Sequence, residues 1–134
     1  NDLKTELGTE RLALALVDAV PAGIYAKAAL QSLGMWEALK SQIAQTDNVR
    51  AAMRLVAIGE TPLGIVYDTD HRADDNVNAL YVFPENSHPP IRYPAALIAD
   101  QATEAGRMFL TYLQGPAGTA VFQTHGFITV ENAQ

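Results

Sequence analysis

The stretch Arg11-Leu12-Ala13-Leu14-Ala15-Leu16-Val17, followed by Val20-Pro21-Ala22-Gly23 and then by Ala26, Ala29, Leu30 and Leu33, decides the fold. Its first part is a short apolar run, which reads as a buried strand. Pro21 fits the first position of a helix, where a missing N–H costs nothing. The four apolar residues after it recur at i, i+3, i+4 and i+7, the stripe of an amphipathic helix. Gly34 stands where a C-terminal glycine cap belongs.

Outward from this unit the same alternation continues. Trp36, Leu39 and Ile43 predict a second short helix. Asp47 or Asn48 can cap a third, whose stripe is Val49, Ala52, Met53 and Val56 and which Gly59 closes. Leu63 to Tyr67 reads as a buried strand, Asp68 to Asn76 as a polar loop, and Ala79 to Phe83 as a further strand. Pro84 to Pro90 reads as a connection or hinge. Arg92 to Ala99 is expected to be a strand, and Thr103 to cap a helix carrying Ala105, Met108, Phe109 and Tyr112. Gly115-Pro116 ends that helix. A last short helix runs to about His125-Gly126, and Phe127 to Val130 reads as a terminal strand. Strands alternating with helices predict an α/β fold with a mostly parallel sheet. In such sheets ligands bind beyond the C-terminal strand ends, at helix N-termini.

Composition narrows the function. The 134 residues are 49% hydrophobic and 18% charged, with a net charge of −6. That is enough apolar material for one core. The acidic balance, without clustered Lys and Arg, points away from nucleic acid. An acidic protein that captures an anion must use local dipoles, because its overall field repels the ligand. There are no cysteines, which removes disulfides, thiol catalysis and thiolate metal sites. No basic-then-apolar signal segment opens the sequence, and no apolar run approaches a membrane span.

Two helix starts draw attention, at Ala22-Gly23 and at Asn48-Val49. Each offers backbone N–H groups without an intrahelical partner, at the positive end of a helix dipole. Together they are able to hold an oxyanion without any charged side chain, and small residues at 22 and 23 would let it approach the backbone. Every helix has such a start, so neither is a site by itself. Tyr67 ends a predicted strand where its hydroxyl would reach the same pocket, although a strand-end tyrosine with its hydroxyl in water reads the same way. The segment Asp68-Thr69-Asp70-His71-Arg72-Ala73-Asp74-Asp75 holds a D-x-D and a histidine. It lacks the glycine and distal Glu of a calcium loop, and Arg72 lies among the would-be ligands, so it reads as a solvated loop. His71, His88 and His125 have no ligand-like spacing. Glu6 with Glu10, and Glu37 with Asp47, give no argument for paired acid chemistry. There is no G-x-S-x-G, no P-loop and no G-x-G-x-x-G. No enzyme activity, metal ion or cofactor is expected.

Beyond these physical readings, Val20-Pro21-Ala22-Gly23-Ile24-Tyr25-Ala26-Lys27-Ala28-Ala29-Leu30, with Leu33-Gly34-Met35-Trp36, closely resembles a motif of periplasmic molybdate-binding proteins of ABC importers. Asn48-Val49-Arg50-Ala51-Ala52, Pro62-Leu63-Gly64-Ile65-Val66-Tyr67, Phe83-Pro84-Glu85-Asn86-Ser87-His88 with Tyr93-Pro94, and His125-Gly126-Phe127 are further matches. They follow in the family's order and spacing. The resemblance implies a lobe of the type II periplasmic-binding-protein fold, a mostly parallel sheet flanked by helices, within a two-lobed receptor that this chain would represent incompletely. It implies molybdate or tungstate as the ligand, held by neutral donors: the N–H of Ala22, the N–H of Val49 and the hydroxyl of Tyr67. It also implies the membrane permease as a partner, and a periplasmic location. Leu16-Val17 stands where the family usually has Asp-Pro.

By the family's topology, residues 1–88 would form most of the second, inserted lobe. Residues 89–134 would be the crossover and the C-terminal return segment of the first lobe. The rest of that lobe, with two serine-bearing loops that complete the cage, would precede this chain. Leu97, Ile98, Phe109 and Phe122 would then lack their usual cover, so self-association, exchange of elements with a second copy, or pairing with an N-terminal part is expected. The alternatives are the same fold binding sulfate, phosphate or a small carboxylate, or a ligand-sensing domain of a regulator. The last would predict an attached helix-turn-helix, which these residues do not display.

Overall fold

A computed structural model of the chain describes residues 3–129. The chain divides after Ile91 into two compact units. The first unit opens with helix α1 (Leu3–Leu7), whose Leu7 is buried. Strand β1 follows at Leu12–Ala15, and all four of its residues are buried. Helix α2 (Pro21–Ser32) and the single turn α3 (Trp36–Leu39) lead to β2 (Ile43–Thr46). Helix α4 (Val49–Ala57) leads to β3 (Leu63–Gly64), and a short α5 (Asp68–His71) comes after it.

The three strands form one parallel sheet in the order β2-β1-β3. An apolar run becomes the central strand because only there is a strand buried on both faces and hydrogen-bonded on both edges. Leu12 pairs with Ile43 on one side and with Leu63 on the other. The connection from β1 to β2 and that from β2 to β3 run in opposite directions across the sheet. Right-handed crossovers then place α2 and α4 on opposite faces. The core gathers Leu7, Leu12, Leu14, Leu30 and Leu39, with Val17 and Ala26, and Trp36, Ile43, Ile65 and Phe83 pack against it. Gly34 closes α2 at φ 70° and Gly59 closes α4 at φ 78°, the left-handed backbone that makes glycine the preferred residue there.

The second unit pairs α6 (Glu104–Gln114) with α7 (Pro116–Thr124). The Thr103 hydroxyl caps α6 by accepting from the Gly106 N–H at 3.1 Å. A Cβ on Gly118 would come within 2.4 Å of the Tyr112 carbonyl oxygen, so glycine permits the close turn between these helices. Among the described residues of this unit, Gly118 is the only buried one.

The α/β class with a parallel sheet is as expected, but six expectations about elements are corrected. Ile43 belongs not to a helix with Trp36 and Leu39 but to β2. Helix α3 stops at Leu39, and the chain passes through a 3₁₀ turn into the strand. The strand expected over Leu63 to Tyr67 pairs only at Leu63–Gly64, extended by one bond from the Ile65 N–H to the Ala13 carbonyl at 3.0 Å. The polar loop expected from Asp68 begins with a helical turn, α5. The strands expected over Ala79 to Phe83 and Arg92 to Ala99 do not form, and residues 127–129 form none either. A strand needs an edge to pair with, and these apolar runs find none. Val130 lies outside the described residues.

Candidate functional site

Three connections leave the C-terminal edge of the sheet, and each carries one of the sequence-predicted donors. After β1 the chain turns through Leu16 to Val20, with the Val20 N–H donating to the Leu16 carbonyl at 2.9 Å, and α2 starts at Pro21. Ala22 is buried, yet the N–H groups of Ala22 and Gly23 meet no backbone acceptor among the described residues. A buried helix start normally has a partner for such groups. The smallness of Gly23 has a steric reason within the fold. A Cβ there would sit 2.3 Å from the carbonyl oxygens of both Ala15 and Leu16, so glycine lets α2 start directly against the end of β1.

After β2 the chain reaches α4 in two residues. Asn48 caps it, its Oδ1 accepting from the Ala51 N–H at 2.9 Å. That leaves the N–H groups of Val49 and Arg50 without a backbone acceptor among the described residues. The turn is pinned to β1: the Thr46 hydroxyl lies 2.9 Å from the Asn48 carbonyl oxygen and 3.2 Å from that of Leu14. Gln45 reinforces it, its Oε1 accepting from the Val17 N–H at 2.9 Å.

After β3 comes Tyr67, half-buried, in extended backbone at the start of α5. Tyr67 and Ala22 line one cavity of about 270 Å³, together with Tyr25, His71 and His88. Val49 is not part of its lining. The structure therefore brings two of the three predicted residues to one cavity and leaves the third on the neighbouring connection of the same edge. The cavity is lined by Gly64 of β3 and by residues of α2 and α4, the helices that the reversal of strand order places on the two faces of the sheet.

Beside Tyr67, this cavity holds Tyr25 and His88, neither of which the sequence marked as a site residue. Tyr25 stands 6.5 Å from Tyr67 and 6.2 Å from His88, measured between ring centres. The readable signal was spacing: Tyr25 is one helical turn beyond Ala22 and so shares its face. Charged side chains close by are mostly engaged with one another. Lys27 pairs with Asp18 at 2.6 Å and lies over the Trp36 ring. In the Asp68–Asp75 segment, Asp68 accepts from the Arg72 Nε at 2.7 Å. Asp74 is held below the usual carboxylate range by hydrogen bonds from the Asn76 backbone and side chain.

A parallel sheet with helix starts gathered on one edge, beside a cavity, is the build of a small-solute-binding lobe. The chain belongs to the bacterial extracellular solute-binding proteins, whose family model matches residues 1–128. It is 43% identical to the molybdate-binding protein ModA of Escherichia coli over 117 residues, 87% of this chain and 46% of that protein. It is 40% identical to the molybdate-binding protein ModA of Haemophilus influenzae over 108 residues, 81% of this chain and 42% of that protein. Among solved structures it resembles a substrate-binding domain ascribed to a molybdenum ABC transporter of Clostridium difficile. That match has a TM-score of 0.78 and 26% identity, and covers 98% of this chain and 58% of that one. The chain thus spans about half the length of the curated relatives it matches.

Proposed function

We propose that this chain is the oxyanion-binding part of a molybdate (or tungstate) receptor that serves an ABC importer. The observation that carries the reading is the pair of unpartnered helix starts, at Ala22 and Val49, on the same sheet edge as Tyr67. The names of the relatives supply the ligand class. A buried dianion is stabilised by several short, charge-assisted hydrogen bonds. Neutral backbone and hydroxyl donors provide them without a counter-ion, and a fixed set of donors also measures the size of the oxyanion. Molybdate is larger than sulfate, so donors spaced for molybdate hold sulfate loosely. A protonated phosphate brings a proton that donors cannot accept.

The role is binding, without catalysis and without a cofactor. The partner is the importer's membrane permease, and the place is the periplasm. No described helix is long and apolar enough to cross a membrane. Residues 1–88 act as most of one lobe and residues 89–134 as the return segment of the other. Exposed apolar side chains support the expectation of further polypeptide cover: Leu80, Tyr81 and Val82 in the first unit, and Ile98, Met108 and Phe109 in the second. Either a second copy or a preceding N-terminal part would supply that cover. A monodisperse monomer in light scattering at micromolar concentration would refute it.

The ligand assignment is tested by calorimetric titration of the chain with molybdate and, separately, with sulfate. Heat with molybdate and little with sulfate is expected. Equal responses, or none to molybdate, would contradict it.

A further inference from the structure

Asp70 is a buried carboxylate with no part in the donor set described above. It is 8% exposed and sits in α5, three residues after Tyr67. It clasps Tyr67 in both directions. Its own N–H donates to the Tyr67 carbonyl at 3.0 Å, and its Oδ2 accepts from the Tyr67 N–H at 3.4 Å. The other oxygen, Oδ1, faces Arg50 Nε at 3.8 Å. Arg50 is the second residue of α4, next to Val49. A cation is disfavoured in the first turn of a helix, because the dipole there is already positive. A buried carboxylate within reach offsets that disfavour, and the guanidinium in turn compensates a charge that burial penalises.

We infer that Asp70 is a positioning residue: it ties the Tyr67 corner to the first turn of α4 and so presets the spacing of the Tyr67 hydroxyl and the Val49 N–H. The inference rests on the oxyanion reading proposed above. Its physical content is that two donors on separate connections form a size-selective set only if something fixes their separation. Asp70 is the one buried carboxylate among the described residues; it is hydrogen-bonded to Tyr67 and lies within ion-pair distance of Arg50 on the other connection. At metal centres, residues that orient a ligating group through a hydrogen bond matter by about one order of magnitude or more in affinity, and the same scale is taken here for an oxyanion donor.

The test uses Asp70→Ala, Asp70→Asn, Arg50→Gln and the double variant Asp70→Ala/Arg50→Gln in this chain. Two readouts are taken: the molybdate Kd by calorimetry and the ligand-free amide spectrum by NMR. Asp70→Ala is expected to weaken molybdate about tenfold. Asp70→Asn keeps an acceptor for the Tyr67 N–H and is expected to weaken it less. Arg50→Gln is expected to add little on top of Asp70→Ala, since both remove the same link. In the ligand-free spectrum, Asp70→Ala is expected to move the amides of Val49, Arg50 and Ala51 as well as that of Tyr67. An unchanged Kd in Asp70→Ala overturns the inference, as does an Arg50→Gln effect that adds in full. Should the parent chain bind no molybdate, the oxyanion reading fails by itself, and the amide spectrum still decides the link. Movement at Val49 to Ala51 upholds it, and movement confined to Tyr67 and its neighbours overturns it. If Asp70→Ala does not fold, Asp70→Asn is read in the same two ways.

Discussion

Two apolar runs of this chain have opposite fates. Leu12-Ala13-Leu14-Ala15 is a central strand, and none of its residues is more than 1% exposed. Leu80-Tyr81-Val82 has equal claim to a strand by composition, yet these residues are 78%, 65% and 71% exposed and pair with nothing in the sheet. The difference lies in what surrounds each run. The first has β2 and β3 on its edges and α2 and α4 packed against it. The second lies in a segment without regular structure. Apolar character states a demand for burial, and only neighbouring elements meet it.

The comparison can be broken or sharpened by substitution. The largest effect is expected for Leu14→Ala in the buried run. Removing a fully buried leucine side chain costs about 3 kcal/mol, read as a shift in the denaturant midpoint. Val82→Ala, in the exposed run, should change stability by less than about 0.5 kcal/mol. Equal effects at the two positions would break the contrast. Next comes Gly23→Ala, which forces a Cβ against the carbonyl oxygens of Ala15 and Leu16. It is expected to destabilise by about 2 kcal/mol and to weaken molybdate binding in the same titration. A stable variant with unchanged affinity would show that the start of α2 is not held where described. Smaller still are the helix caps. Asn48→Ala and Thr103→Ala each remove one side-chain acceptor, at about 1 kcal/mol. Because a cap is a local device, the two should cost the same although they lie in different units. A large inequality in thermal unfolding would show that one unit is not independently folded.

How much of this was readable in advance follows the same logic. Local signals read correctly. Pro21 opens α2, Gly34 and Gly59 close their helices, and Asn48 and Thr103 cap theirs with the hydrogen bonds their side chains favour. Partner-dependent signals read poorly. β2 was missed because Ile43-Ala44-Gln45-Thr46 is short and half polar; it is a strand because β1 lies beside it. The runs at Ala79 and Arg92 failed for the converse reason. At the site, the helix starts were legible because unpaired N–H groups follow from helix geometry alone. Tyr25 was within reach of its helical spacing from Ala22, but His88 at the cavity, and Asp70 between two connections, depend on where distant segments meet, which no periodicity encodes.

The central claim is that backbone N–H groups at the two helix starts are the ligand donors. Its most direct test is the amide spectrum of the ¹⁵N-labelled chain during addition of molybdate. The account predicts that the signals of Ala22, Gly23, Val49 and Arg50 move with saturation, that the Tyr67 ring responds with them, and that the same concentration of sulfate leaves them in place. Shifts that avoid both helix starts, or that sulfate reproduces in full, would contradict it.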